Sequence, residues 1–148
     1  MPPHDCLAEP ITRVVNFYET LSRESLGRLG EVYAASARFK DPFNDVVGTG
    51  PITRIFEAMF EQLEAPRFHV LEAVGDARRA CLVWVFDFRN PRLDGGRPQQ
   101  IRGASWLEFD DQGRVSLHRD YWDAAEELYE KLPMVGALMR WLRRRIAH

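Results

Sequence analysis

Residues 81–88, Cys-Leu-Val-Trp-Val-Phe-Asp-Phe, constrain the fold more than any other stretch of the chain. Read at the two-residue period of a strand, Leu82, Trp84, Phe86 and Phe88 share one face, and Val83, Val85 and Asp87 share the other. A strand that is apolar on both sides sits inside a sheet that is covered on both sides. The chain therefore needs partner strands, a helical layer on one face and a second cover, which a second subunit or the C-terminal helix would supply.

The partner strands follow from the same period. The central run extends to a strand over 79–89, and residues 68–74, 99–109 and 114–122 read as its partner strands, separated by Gly75-Asp76, by the turn-rich stretch 90–96 and by Asp110-Asp111-Gln112-Gly113. Short connections of this kind make sequential strands antiparallel neighbours. The helical layer comes first in the chain. Ile11, Val14, Val15, Tyr18 and Leu21 recur at helical spacing over residues 11–22, after a proline-bearing leader. A shorter helix fits 25–33, and a strand fits 35–41, stopped by Pro42. Thr49 is the expected cap of a strongly amphipathic helix that carries Ile52, Ile55, Phe56, Met59, Phe60 and Leu63 and ends at Pro66. The last two helices are expected over 124–131 and 134–146. Helices followed by a strand meander make an α+β domain, with a core of about residues 11–125 and a helical extension over 126–148.

Hydrophobic residues form 45% of the 148, which excludes a disordered chain. Charge is nearly balanced, at a formal net −2, so nothing favours nucleic acid as a partner. Cys6 and Cys81 do not form a disulfide framework. With no apolar leader or membrane-length apolar run, a cytoplasmic location is the expectation. His4, His69, His118 and His148 lack metal-ligand spacing, and no phosphate-binding glycine loop or serine-hydrolase elbow occurs; no metal or cofactor is expected. The C-terminal helix sets Arg140, Arg143, Arg144 and Arg145 against Leu138, Trp141, Leu142 and Ile146. We expect it to dock on its own domain, with membrane contact as the lesser alternative.

Three carboxylates stand on strands in apolar company. Asp120 shares a face with His118 and Trp122, Asp41 shares one with Phe39, and Asp87 lies beside Val85. If they surround one cavity, burial and mutual repulsion would separate their proton affinities, leaving one as acid and another as base. Each also has a plainer structural reading. Asp41 would fix the turn before Pro42, Asp87 would pair with an arginine on a neighbouring strand, and Asp120 would pair with the neighbours of Arg119 or sit at an open rim; Asp123, beside it, would cap the following helix.

Three motifs with the element order resemble the nuclear transport factor 2-like superfamily: Val14-Val15-Asn16-Phe17-Tyr18, Phe39-Lys40-Asp41-Pro42, and Arg119-Asp120-Tyr121-Trp122-Asp123. That group includes ketosteroid isomerase, SnoaL-like polyketide cyclases and limonene epoxide hydrolase. The resemblance implies a cone, in which a curved antiparallel sheet wraps helices around a deep apolar pocket, and a homodimer through the sheet's outer face. By similarity to ketosteroid isomerase, Asp41 would shuttle a proton and Tyr18 would donate to an oxyanion, with Ser105 where that enzyme has a second acid. By similarity to limonene epoxide hydrolase, Asp120 would activate water and Asp87 would protonate the epoxide, with Val85 where the bridging arginine would fall. SnoaL-like cyclases place their acid/base aspartate where Asp120 stands.

The expectation is a SnoaL-like isomerase or cyclase that acts next to the carbonyl of an apolar small molecule. Asp120, Asp41, Tyr18 and Asp87 are the candidate catalytic residues; His118, Trp122, Phe39, Ser105 and Phe56 would contact substrate. The alternatives are a non-catalytic binding or dimerisation module of the same fold, and an epoxide hydrolase-like activity.

Overall fold

The computed structural model describes residues 7–127, 138, 141–142 and 144–146. Helix α1 (Glu9–Glu19) opens with Pro10 in its first turn, where a missing N–H costs nothing. It buries Ile11, Val14, Val15, Phe17 and Tyr18. The expected second helix is a 3₁₀ turn (Glu24–Arg28) followed by the single-turn α2 (Leu29–Val32). Strand β1 (Tyr33–Lys40) then begins two residues earlier than the alternating pattern indicated. Residues 45–47, too few to show a strand period, pair antiparallel with β1 as the short edge strand β2 (Asp45–Val47).

Helix α3 (Thr49–Gln62) corrects the expected cap. Its N-cap position is Gly48, with φ +106°, and Thr49 lies inside the helix. The helix ends before Pro66, but that proline lies within the next strand, β3 (Glu64–Gly75). Because β3 is an edge strand, a residue with no N–H can be accommodated there. Strand β4 (Arg79–Arg89) and β5 (Gln99–Phe109) occupy the expected residues, and β6 (Val115–Tyr121) falls one residue short at each end.

The six strands form one sheet in the order β2-β1-β6-β5-β4-β3. The meander from β3 to β6 is antiparallel throughout, as expected. The sheet as a whole is mixed, because β1 pairs parallel with β6, with Phe39 opposite His118. Its inner face carries Leu82, Trp84, Phe86 and Phe88 from β4, all buried under the helices. The outer face is mixed: Val85, on the same side as Val83 and Asp87, is buried at 8% exposure. Val83 is 38% exposed, and Leu71, Val74, Trp106 and Tyr121 are exposed beside it.

At the C-terminal side, α4 (Ala124–Glu127) is capped by Asp123, whose carboxylate accepts from the Glu126 N–H at 3.1 Å. Most of the two expected terminal helices and the N-terminal leader lie outside the described residues. Leu138, Trp141, Leu142 and Ile146 are helical and exposed.

One backbone position in the meander tolerates no side chain. Gly75 has φ +145°, and a Cβ there would lie 2.1 Å from the Arg79 carbonyl oxygen and 2.6 Å from the Ala80 Cα. Backbone atoms cannot swing aside as a side chain can. Gly75→Ala is expected to lower the free energy of unfolding by about 1–3 kcal/mol, read as a lower denaturant midpoint at unchanged slope.

Candidate functional site

The register of the last hairpin sets the site. Ser105 on β5 lies directly opposite Asp120 on β6, and Leu107 lies opposite His118. His118 and Asp120 are two residues apart and share the inner face. The Asp120 Oδ1 accepts the Ser105 hydroxyl at 2.5 Å and bonds His118 Nε2 at 2.5 Å. Its Oδ2 accepts no hydrogen bond from the described residues. The indole of Trp84 donates to the Ser105 oxygen at 2.8 Å, which leaves the serine proton for Asp120. That indole lies over Gly103, where a Cβ would come within 2.5 Å of the ring.

Behind Asp120 the network runs inward. Tyr33 bonds His118 Nδ1 at 2.7 Å, Tyr18 approaches the same nitrogen at 3.2 Å, and the two tyrosine hydroxyls bond each other. Burial raises both tyrosines above their ordinary range, and the negative charge of Asp120 adds to the effect. Both therefore keep their protons at neutral pH and can donate. His118 is only 1% exposed.

In front of Asp120 lies a cavity of about 600 Å³. Phe39, Phe56, Phe68, Trp84, Phe86 and Trp122 contribute to its wall, and Asn44, Arg54, Gln62 and Asn90 add polar groups to its lining. A groove of similar volume, about 590 Å³, runs past Lys40, Arg119 and Tyr121. The first is the better candidate for a small apolar ligand because it is concave and aromatic.

The candidate residues separate accordingly. Asp120, Phe39, Phe56 and Trp122 line the cavity. Asp41 also reaches it, but its Oδ1 is held by the N–H groups of Phe43 and Asn44 at 2.7 and 2.6 Å, so it fixes the turn at Pro42. Tyr18 and Ser105 border a small void behind the main cavity and belong to the network that holds Asp120. His118 supports Asp120 from within the core and is not part of the main cavity wall.

Asp87 is the correction. It lies on the outer face, 3.2 Å from His69 Nε2, and accepts from Gln100 at 2.9 Å. The period of two had placed it opposite Trp84 and Phe86, and a strand cannot turn it inward. Its partners are a histidine and a glutamine rather than the expected arginine. Tyr33 was missed because it fell at the end of an apparent helix, where nothing in the local pattern marks a buried donor.

The raised tyrosines fix an alkaline limit on stability. Below about pH 10 folded and unfolded chains both keep these protons. Above it the unfolded tyrosines ionise while the buried pair resists, so the unfolded state binds fewer protons and stability falls. Tyr33→Phe is expected to flatten this fall, measured as denaturation midpoints between pH 8 and 11.

Solved structures share this architecture. A chain assigned to the SnoaL-like polyketide cyclases from Shewanella putrefaciens CN-32 is 17% identical, with a TM-score of 0.70, over 86% of this chain and 98% of that one. An LEH-like epoxide hydrolase from M. tuberculosis is 17% identical, with a TM-score of 0.68, over 90% and 91%. A nuclear transport factor 2-like protein of unknown function from Burkholderia pseudomallei K96243 is 16% identical, with a TM-score of 0.70, over 81% and 95%. At these identities the likeness establishes the fold alone. No curated protein matches the chain. The sequence signature of the SnoaL-like domain matches residues 14–118, from the first helix to the histidine behind Asp120, and the chain belongs to that family.

Proposed function

We propose that this SnoaL-like protein is an enzyme that uses Asp120 as a single acid/base on an apolar, ring-bearing carbonyl compound held in the aromatic cavity. One observation carries the reading: Asp120 has one oxygen held by His118 and Ser105, while the other accepts nothing from the described residues and the carboxylate lines the cavity. A carboxylate so fixed is oriented before substrate arrives, and the aromatic wall offers an apolar surface for a ring beside it.

In the proposed reaction, Oδ2 takes a proton from the carbon next to the carbonyl and an enolate forms. Return of that proton to a different carbon completes an isomerisation. Attack of the enolate carbon on a second carbonyl of the same molecule, with the proton passed to the new alkoxide, completes an aldol-type ring closure. Both balance without a cofactor. Epoxide opening calls for a second acid across the cavity. Asp87 faces the other side of the sheet and Asp41 is committed to its turn, so the single-carboxylate reading is favoured.

Deuterium exchange tests the step directly. The protein should accelerate loss of the acidic protons of 2-tetralone in D₂O, followed by proton NMR. Asp120→Asn should reduce the acceleration by about 10²-fold or more, while Asp87→Asn should retain it. Equal exchange by wild type and Asp120→Asn would remove the proposal. Binding of the ketone with no exchange in wild type would favour the non-catalytic alternative.

A further inference from the structure

The buried chain behind Asp120 acquires a direction once its protons are counted. Among the described residues, the polar groups that face the His118 ring are Tyr18 from α1, Tyr33 from β1 and Asp120 from its own strand. Phe39 packs on the ring at 4.6 Å between centroids and offers no proton. Each tyrosine brings one proton. The ionised Asp120 can only accept, so the imidazole nitrogen 2.5 Å from it, Nε2, must carry hydrogen.

Two proton arrangements of the ring satisfy that contact. In the neutral imidazole Nδ1 is an acceptor. Tyr33 then donates to it over 2.7 Å, Tyr18 donates to the Tyr33 oxygen, and every proton has a partner. In the imidazolium Nδ1 is a donor. It must give to Tyr33, Tyr33 must give to Tyr18, and the Tyr18 proton is left without an acceptor among the described residues. Tyr18 is only 7% exposed, so a proton stranded there is costly. A protonated, neutral Asp120 that donates to Nε2, with the ring's hydrogen on Nδ1, strands a tyrosine proton in the same way.

We propose that Tyr33, backed by Tyr18, is a positioning residue for Asp120: it holds His118 as the neutral imidazole with its proton on Nε2. His118 then acts as a fixed donor to Oδ1, and Oδ2 is left without a donor among the described residues. A neutral partner orients Asp120 without setting a full positive charge against the negative charge that a base needs. The role belongs to a residue that approaches neither the cavity nor the reacting atoms, and it extends the reading of Asp120 as the working carboxylate.

Long-range proton–nitrogen correlation spectra of protein labelled with ¹⁵N-histidine read this directly, with His118→Asn assigning the resonance. Wild type should show His118 protonated at Nε2 and bare at Nδ1 from pH 6 to 8. In Tyr18→Phe/Tyr33→Phe, Nδ1 loses both donors, and the midpoint for forming the imidazolium should move up by about one pH unit, a tenfold change in proton affinity. Tyr33→Phe alone, which leaves Tyr18 3.2 Å from Nδ1, should give a smaller upward shift and serves where the double variant does not fold. An imidazolium or an Nδ1-protonated ring in wild type overturns the proposal. So does a wild-type midpoint in a folded double variant, or in folded Tyr33→Phe where only that variant is available. These spectra report the ring alone, so an Asp120 that proves inert in deuterium exchange leaves their outcome unchanged.

Discussion

Everything in this molecule depends on the parallel pairing of β1 with β6. It is the one sheet contact between the helical first half of the chain and the strand meander of the second. Through it Phe39 comes to lie beside His118, and β1 brings Tyr33 to Nδ1 of the same ring. The pairing is long-range, and its loop-closure cost is recovered only when the helices cover the inner face of β4. Sheet closure, core burial and assembly of the site are therefore aspects of one event.

The site resolves a conflict between burial and charge. A carboxylate whose side chain is only 17% exposed needs hydrogen bonds to stay ionised in an apolar setting. Ser105 and His118 supply them at one oxygen, and each is itself oriented by a further donor, Trp84 or Tyr33. The support is layered so that the carboxylate is fixed without being fully satisfied. The oxygen left over is the one to which the proposed reaction assigns the proton transfer. Gly103 has a part in this, because the indole that orients Ser105 occupies the space a larger residue would fill.

Much of the fold was legible because the strands obey their period. The bounds of β4 and β5 were read to the residue, since their alternation is strong and turn residues flank them. Local signals failed where tertiary context overrode them. Pro66 looked like the stop of a helix and instead lies inside a strand, tolerated at a sheet edge; residues 45–47 are too short to show a period and become β2 only because β1 lies alongside. Tyr33 was hidden for the same reason, since a residue at a helix-to-strand junction carries no periodic label.

Among the three carboxylates, the division by face was readable and its consequence was not. The sequence by itself determined that Asp120 shares a side with His118 and that Asp87 lies opposite Trp84, because side chains alternate along a strand whatever surrounds it. Which side becomes the cavity was decided by the tertiary structure, because only the packed helices define the inner face. The turn role of Asp41 was legible as well, because an aspartate before Pro42 accepts from the N–H groups two and three residues on, here Phe43 and Asn44, whatever packs around it. The proton order in the buried chain is a tertiary property: it depends on hydroxyls from α1 and β1 meeting a ring from β6, at a spacing that no local pattern encodes.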